Sequence, residues 1–370
     1  MAFSTISTFG RYCMSNVLTK PSTPTGFTFI SATTTSVTFS FTIQNGTASI
    51  TSYTPYINGT LATGSGSYSS YTITGLTTNT LYTVAMTATN RVGTSAQSTG
   101  VSMTTVSPAP TGLTFISAST SSVTFRFTAP TGTATITGYA PYIGGTLATG
   151  SGTTTSYTIT GLTSNTVNTV TIAAINSGGT SAQSTGVSMT TVTSPPTGLT
   201  FISATTTSVV IRFTVPNGTI TSYTPSVGAG SGTAASYTIT GLASNTSYSL
   251  TLTATGTGGT SASSSALSIL TVPSPPTNLV ALNTTPLNFA ISFTPSTGNN
   301  TIPISGYTFF ANGVSKGAGT GTTSNDLAPA GTLQTNQTIT VTLTATNASG
   351  TSVQSTSISV TATGGMGGQI

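Results

Sequence analysis

The residue types that usually carry acid–base or metal chemistry are almost missing from this chain. Its 370 residues include six Lys or Arg, one acid (Asp326) and no His. General acid–base catalysis needs a group that exchanges protons near neutral pH, and a Ser or Thr nucleophile needs a base to activate it. Zinc and calcium sites need clustered His, Cys or carboxylate ligands. The sequence therefore predicts no catalytic, cofactor-binding or metal-ligating residues, and we expect a protein that is not an enzyme.

The reactive side chains that remain favour structural roles. Lys316 and Asp326 could form an isopeptide bond, but that bond normally needs a further carboxylate, so an ion pair is favoured. Cys13 is the single cysteine, and it could be a reactive thiol or an interchain crosslink, although packing as a small apolar side chain is favoured. Tyr56 and Tyr142 could form a sugar-binding platform, but cross-strand packing is the favoured interpretation.

The net charge of +5 is dispersed along the chain, which argues against a nucleic-acid partner. Every phosphate contact needs a nearby base, and no two bases are adjacent. No apolar run approaches the roughly 20 residues of a membrane-spanning helix. The first 20 residues also lack the pattern of a secretion signal. The bases are Arg11, Lys20, Arg91, Arg126, Arg212 and Lys316.

The sequence repeats a Pro-Thr-Gly/Asn-Phe/Leu motif that begins at Pro24, Pro110, Pro196 and Pro276, at spacings of 86, 86 and 80 residues. Such a period predicts tandem domains. The predicted segments are an N-terminal arm (1–20), repeat 1 (21–106), repeat 2 (107–192), repeat 3 (193–272), repeat 4 (273–362) and a Gly-rich tail (363–370). Repeat 4 has diverged from the others, so we expect it to be a cap or docking unit.

Period-two patterning predicts an all-β fold. Ser and Thr make up 147 of the 370 residues, and long runs alternate an apolar residue with Ser or Thr, as in 81–90. A disordered, mucin-like stalk is the alternative, but large apolar residues recur in register. Seven short strand-like pieces in repeat 1, the last spanning 95–106, predict a two-sheet Greek-key β-sandwich.

Several markers that recur in phase resemble the fibronectin type III family over about residues 21–362. Phe replaces the Trp usual in the second strand, a Tyr marks the third strand, and a Leu with a Tyr six residues later marks the tyrosine corner. The resemblance implies four tandem seven-stranded Greek-key sandwiches. The marker residues are Phe41, Phe127, Phe213 and Phe293; Tyr53, Tyr139, Tyr223 and Tyr307; and Leu76, Tyr82, Leu242 and Tyr248.

The repeats also depart from the family pattern. The corner Tyr is replaced by Asn168 in repeat 2 and by Ile339 in repeat 4. A Pro follows the third-strand Tyr by two residues at Pro55, Pro141 and Pro225. Because Pro cannot donate to a sheet ladder, we expect a bulge or an early strand end there.

Pro-rich linkers and scarce charge together indicate a structural role. Short Pro-rich connections are stiff, so we expect an extended rod. Only 2% of the residues are charged, which leaves sheet edges with little protection against pairing. We therefore expect a non-enzymatic structural protein that forms or decorates a larger assembly, such as a fibre, a surface layer or a virion surface. An adhesin that presents terminal loops to a glycan or a receptor is the alternative.

The expected partners are copies of the chain itself or other structural proteins, at the surface of an assembled particle or an extracellular surface. The N-terminal arm carries apolar residues that a free tail would leave in water, so we expect it to be an anchor. Those candidate assembly residues are Phe3, Ile6, Phe9, Tyr12, Cys13, Met14 and Val17.

Overall fold

The computed structural model describes residues 17–42, 47–67, 69–153, 155–285, 288–296, 302–319, 323–324 and 334–363. All assigned elements in these ranges are β-strands, so the fold is all-β, as predicted. The strands fall into two compact units. The first comprises Met1–Ala118, Ser122–Gly161 and Asn168–Met189, and the second comprises Ser119–Ser121, Leu162–Val167 and Thr190–Ile370.

Repeats 1 and 2 each contain nine assigned strands. Those of repeat 1 are β1 (Thr25–Ala32), β2 (Val37–Thr42), β3 (Ile50–Ile57), β4 (Thr60–Leu61), β5 (Gly64–Gly66), β6 (Ser70–Ile73), β7 (Leu81–Asn90), β8 (Gly93–Thr94) and β9 (Val101–Thr104). Those of repeat 2 are β10 (Thr111–Ala118), β11 (Ser122–Thr128), β12 (Gly138–Ile143), β13 (Thr146–Leu147), β14 (Gly150–Gly152), β15 (Ser156–Thr160), β16 (Val167–Asn176), β17 (Gly179–Thr180) and β18 (Val187–Thr190).

Repeats 3 and 4 begin with the same three strands as repeats 1 and 2 but differ from them after the third strand. Those of repeat 3 are β19 (Thr197–Ala204), β20 (Ser208–Thr214), β21 (Ile220–Pro225), β22 (Ala229–Thr233), β23 (Ser236–Thr240), β24 (Ser247–Leu250), β25 (Leu252–Gly256), β26 (Gly259–Thr260) and β27 (Leu267–Leu270). Those of repeat 4 are β28 (Thr277–Thr285), β29 (Asn288–Thr294), β30 (Gly306–Ala311), β31 (Val314–Gly319), β32 (Thr323–Ser324), β33 (Thr338–Asn347), β34 (Gly350–Thr351) and β35 (Ile358–Thr361).

Each repeat is a sandwich of antiparallel strands. In repeat 1 one sheet has the order β1-β2-β6-β5, and the other has the order β4-β3-β7-β8 with β9 also paired to β7. The first strand of the repeat is therefore an edge strand. Side chains alternate between the core and the outer face, as in β2, where Val37, Phe39 and Phe41 are buried. The hydroxyl-rich pattern of the sequence is the outer half of this alternation.

The second-strand Phe and the third-strand Tyr meet across the two sheets in all four repeats. Their rings pack edge to face, with centroid distances of 5.0, 4.7, 4.7 and 4.6 Å for Phe41–Tyr53, Phe127–Tyr139, Phe213–Tyr223 and Phe293–Tyr307. Such pairs contribute about 0.5 to 1.5 kcal/mol beyond the area that they bury. A Phe–Tyr pair therefore links the two sheets in each repeat.

The last predicted strand of repeat 1, 95–106, is wrong in extent. Within that range the structure has only β9. The chain between β8 and β9 keeps two main-chain bonds to β7, from the Ser95 N–H to the Ala88 carbonyl at 2.9 Å and from the Ser98 N–H to the Met86 carbonyl at 3.0 Å. The side chains of the same two serines take the place of main-chain acceptors: Ser98 Oγ accepts from the Met86 N–H and Ser95 Oγ from the Ala88 N–H, each at 3.0 Å. Equivalent pairs occur in the other repeats: Ser184 and Ser181, Ser264 and Ser261, Ser355 and Ser352.

The bulge expected at Pro55 is also wrong. Pro55 pairs in register with Met86, and the register shift lies between Ile50 and Ser52. The Pro55 carbonyl accepts from Ala62 at 3.0 Å, on the side of the short strand β4. Because the nitrogen and carbonyl of one residue point to the same side of a strand, the missing N–H faces that edge and not β7. In repeat 3 the strand does end at Pro225.

The tyrosine corner forms where the sequence has the Tyr. The Thr77 N–H donates to Tyr82 Oη at 2.8 Å, and the Ala243 N–H donates to Tyr248 Oη at 2.8 Å. In repeat 2 the corner position holds Asn168, which is buried. Asn168 cannot supply the ring area of a tyrosine.

We expect isolated repeat 2 to melt below isolated repeat 1, and Asn168→Tyr to recover much of the difference. A tyrosine ring at this corner buries apolar area that the asparagine side chain does not, and buried aromatic side chains contribute strongly to core energetics. Differential scanning calorimetry of the two repeats and of the variant gives the three melting temperatures. Tyr82→Asn in repeat 1 is the reciprocal control. Equal melting temperatures of the two parent repeats would contradict this account of the corner.

Candidate functional site

A turn asparagine precedes the long strand near the end of every repeat. Asn79, Asn165, Asn245 and Asn336 have positive φ values of 46°, 51°, 46° and 70°, and we call them the loop asparagines. Asn tolerates this left-handed backbone better than most residues. The Asn79 N–H donates to the Val106 carbonyl at 3.1 Å, which ties the turn to the end of its own repeat.

The first unit contains a buried contact between repeats 1 and 2, built on two asparagines. Asn176, the last residue of β16, donates from Nδ2 to Asn79 Oδ1 at 2.9 Å and to the Thr105 carbonyl at 3.0 Å. Its Oδ1 accepts from the Gly178 N–H at 2.9 Å. Both side chains are at most 4% exposed. A buried amide with this many partners fixes one arrangement of the two repeats, because any other leaves polar groups unpaired.

The contact between repeats 3 and 4, inside the second unit, uses the same two positions. Asn347, the last residue of β33, donates to Asn245 Oδ1 and to the Thr271 carbonyl, both at 2.9 Å. Asn245 in turn donates to the Ile302 carbonyl at 3.0 Å. We call Asn90, Asn176 and Asn347 the strand-end asparagines. The arrangement recurs because both positions recur in the sequence.

Asn165, which also lies in the second unit, forms a variant of this contact. The counterpart of the strand-end asparagine in repeat 3 is Gly256, and a Cβ there would lie 2.7 Å from Asn165 Nδ2. Asn165 fills the space that a side chain would take, and its Oδ1 accepts from the Gly258 N–H at 2.9 Å. Its Nδ2 donates to the carbonyls of Asn217 and Thr219. At this contact Asn165 alone takes the part that a pair of asparagines takes in the other two contacts.

Close backbone approach leaves no room for a side chain two residues after the strand-end position in repeats 2 and 3. A Cβ on Gly178 would lie 2.4 Å from the Thr104 carbonyl oxygen, and one on Gly258 would lie 2.0 Å from that of Thr191. In repeat 4 the position holds Ser349, whose Oγ donates to the Leu270 carbonyl. In repeat 1 it holds Val92. Gly178 and Gly258 are therefore the positions of these contacts where an added side chain fits least.

The edge strands β1, β10 and β19 present an apolar pair at the same position in three repeats. The side chains are 39–53% exposed: Phe29 and Ile30, Phe115 and Ile116, Phe201 and Ile202. Each strand is the end of its sheet, so one row of main-chain groups is also unpaired in that sheet. Arg126 and Arg212 are the nearby charges in repeats 2 and 3, and they donate to Thr114 and Thr200 of the edge strands.

Repeats 1 and 3 carry a cleft between their two sheets at equivalent positions. The cleft of repeat 1 has a volume of ≈ 400 Å³ and that of repeat 3 ≈ 270 Å³. No lining side chain is charged. The lining includes Tyr53, Tyr71 and Ser65 in repeat 1, and Tyr223, Tyr237 and Ser231 in repeat 3. A neutral hydroxyl-rich cleft offers hydrogen bonds and no acid–base chemistry.

The structure places some of the other predicted residues and not others. Tyr56 and Tyr142 pair with Leu61 and Leu147 in the edge hairpins and are half-buried. Val17 is exposed. The remaining arm residues, Phe3, Ile6, Phe9, Tyr12, Cys13 and Met14, lie outside the described residues, as does Asp326, so the ion pair with Lys316 stays a prediction. The two sets of asparagines were missed, although their recurrence at the repeat spacing was a visible signal.

Burial raises the pKa of five tyrosines, and this sets the expected pH dependence of stability. They are Tyr71, Tyr139, Tyr223, Tyr237 and Tyr307. A group with a raised folded-state pKa stabilises the fold below its unfolded pKa, about 10 for Tyr, and loses that contribution as the pH rises through the folded value. With no His and one acid, we expect a constant melting temperature from about pH 5 to pH 9 and a fall above about pH 10. Calorimetry across that range checks this, and a maximum inside the window would contradict it.

Within the described ranges, no three His, Cys, Asp or Glu side chains lie close enough to hold a metal ion. The same part of the chain has no helix that is long and apolar enough to cross a bilayer.

The model of the fibronectin type III domain matches residues 22–104, 108–190 and 194–269. The chain therefore belongs to the fibronectin type III family. Domains of this family are typically non-catalytic modules.

Among curated proteins, exoglucanase B of Cellulomonas fimi is 33% identical over 258 residues, which is 62% of this chain and 24% of that protein. Chitinase A1 of Niallia circulans is 37% identical over 182 residues, 46% of this chain and 26% of that protein. The chain thus spans about a quarter of the length of these relatives, and the matches fall on their fibronectin type III regions. Among solved structures, the FN1-FN3 domains of chicken CNTN1 are 17% identical, with a TM-score of 0.23, over 69% of this chain and all of that one.

Proposed function

We propose that this chain is a non-enzymatic structural protein that forms or decorates a larger assembly, such as a fibre, a surface layer or a virion surface. The observation that carries the proposal is the exposed Phe-Ile pair on three equivalent edge strands. Soluble domains usually protect such edges with charge. Here the exposed apolar pairs recur with the repeat, so a partner with the same repeat, a second copy, meets several of them at once.

The test replaces the exposed aromatic residue in all three repeats. Phe29→Lys, Phe115→Lys and Phe201→Lys together should raise the concentration at which the chain associates by at least about tenfold, because charge on an edge opposes strand pairing. Association of the parent chain should respond weakly to salt, since few charges can be screened. Light scattering over a concentration series at low and high salt gives both results.

A matched variant separates edge pairing from a general effect of charge. Thr83→Lys, Thr169→Lys and Ser249→Lys add the same charge at exposed positions on β7, β16 and β24, in the opposite sheet. This control should associate like the parent chain. A parent chain that stays monomeric at high concentration would overturn the assembly proposal.

Binding of a neutral glycan is the second candidate function, and the recurring cleft favours it. The cleft has aromatic and hydroxyl groups without charge, and two relatives are named as an exoglucanase and a chitinase. Saturation-transfer NMR with cellohexaose and chitohexaose tests it. Ser65→Leu with Ser231→Leu should fill the clefts and remove the transfer, whereas Ser102→Leu with Ser188→Leu, at exposed serines of β9 and β18, should not.

A further inference from the structure

The start of repeat 1 carries the same half-contact that repeats 2 and 4 use to hold a preceding repeat. Its strand-end asparagine, Asn90, donates from Nδ2 to the Thr19 carbonyl at 2.8 Å, and its Oδ1 accepts from the Val92 and Gly93 N–H groups. Asn176 and Asn347 make the corresponding bonds to the carbonyls of Thr105 and Thr271. Thr19 therefore occupies at Asn90 the position that the end of the preceding repeat occupies at Asn176 and Asn347.

Lys20 extends this correspondence by one residue. A Cβ added to Gly93 would meet the Lys20 stem at 2.7 Å, just as one on Gly179 would meet Val106 at 3.6 Å and one on Gly350 would meet Val272 at 3.4 Å. Thr47 fixes the segment from the other side, because its Oγ1 accepts from the Thr19 N–H and donates to the Val17 carbonyl, both at 3.0 Å. We call residues 17–19 the plug.

The complementary half-contact is exposed on repeat 4. Asn336 is the loop asparagine of that repeat, and its N–H donates to the Ala362 carbonyl at the end of β35 at 2.7 Å. Its three counterparts are at most 4% exposed, but Asn336 is exposed. One chain thus carries both a strand-end asparagine covered by a short segment of its own and a loop asparagine without a cover in the described part.

We propose that these two half-contacts join two copies of this chain, with Asn336 of one copy against Asn90 of the other after the plug has moved aside. The inference rests on the proposed structural function, and it adds an end-to-end contact to the pairing of edge strands. The occupant is a second copy because the internal contacts show which surface fits a strand-end asparagine. In such a contact Thr361 takes the place of Thr19 and Ala362 that of Lys20, because Ala362 is bonded by Asn336 as Val106 is by Asn79. The plug and the second copy therefore compete.

Val92 should weaken the contact between repeat 1 and repeat 4 of a second copy. Its counterparts beside the backbone of a preceding repeat are Gly178 and Ser349, and a Cβ on Gly178 would already lie 2.4 Å from Thr104. The larger Val92 therefore weakens docking at repeat 1 without removing the asparagine. Arg91 is an exposed charge at the same turn, and it makes some salt dependence possible at this end of the chain.

Sedimentation of the full chain and of a chain that lacks residues 1–19 tests the proposal. Removing the plug should lower the dissociation constant of the dimer by at least about tenfold, because the plug competes at the high effective concentration of a tethered segment. Val92→Ser in the shortened chain should lower it further. Asn336→Gly should reverse both gains, since Gly keeps the left-handed backbone and loses only the amide.

Asn278→Gly is the matched control, because Gly26, Gly112 and Gly198 occupy that position with positive φ in the other repeats. It should leave association unchanged. Weaker association after removal of residues 1–19, or association of the shortened chain that ignores Asn336→Gly, would overturn this inference and leave edge pairing standing. A parent chain and shortened chain that are both monomeric would overturn the two proposals together.

Discussion

Asn176→Ala should destabilise the first unit by about 2 to 5 kcal/mol and uncouple the unfolding of repeats 1 and 2. The side chain makes three hydrogen bonds, and its removal leaves Asn79 Oδ1 and the Thr105 carbonyl without their donor in a buried contact. An unpaired buried polar group costs about 1 to 3 kcal/mol. Calorimetry of the full chain should then show an added low-temperature transition.

Gln183→Ala is the control for the loss of an amide. Gln183 lies in the same repeat on the exposed surface, where its Oε1 accepts from Thr171. Exposed substitutions of this kind usually change stability by no more than about 0.5 kcal/mol. If Asn176→Ala leaves the calorimetric profile of the parent chain unchanged, the asparagine pair does not hold the repeats together.

Gly178→Ala should cost about 1 to 3 kcal/mol, because the added methyl must push the Thr104 and Thr105 backbone away. The distances from the added Cβ are 2.4 Å to the Thr104 oxygen and 2.9 Å to the Thr105 carbonyl carbon. At an unstrained φ, Gly to Ala otherwise stabilises by about 0.4 to 1 kcal/mol. The sign of the measured change therefore decides whether the two backbones touch in solution.

Val92→Ala is the control at the same position in repeat 1, where a side chain is already accommodated, and it should be nearly neutral. Gly178→Ala and Asn176→Ala act on one contact, so their double variant should cost little more than the worse single variant. Denaturant titration monitored by circular dichroism gives all four free energies of unfolding. Additive costs would mean that the two residues act in separate places.

Local sequence was enough for the fold of the individual repeat. The alternation in 81–90 predicts a strand because side-chain period follows directly from backbone geometry, and β7 has those bounds. The Phe and Tyr markers predict a two-sheet core, and Phe41 and Tyr53 do meet in it. Scarce ionisable groups likewise favour a non-catalytic module, because acid–base chemistry depends on residue types that composition alone reveals.

The path of the last strand depended on tertiary contacts. The run 95–106 has the composition of a strand, but the structure has only β9 there, and the side chains of Ser95 and Ser98 take the place of main-chain acceptors for β7. Composition does not distinguish a hydroxyl that faces water from one that replaces a main-chain partner, because both are Ser. Pro55 is a second example that composition alone does not settle. Whether the strand accommodates this proline depends on which side of the strand its missing N–H faces, and that side is known only from the fold.

What the sequence alone determined is the repeat, its strands and its neutral chemistry, because each follows from spacing or composition along the chain. The way in which one repeat holds the next depends on the tertiary fold. In the sequence, Asn79 and Asn176 each resemble ordinary turn residues. The hydrogen bond between their side chains joins positions that are 97 residues apart. A contact of that separation depends on which turn faces which strand end, and no local pattern encodes that.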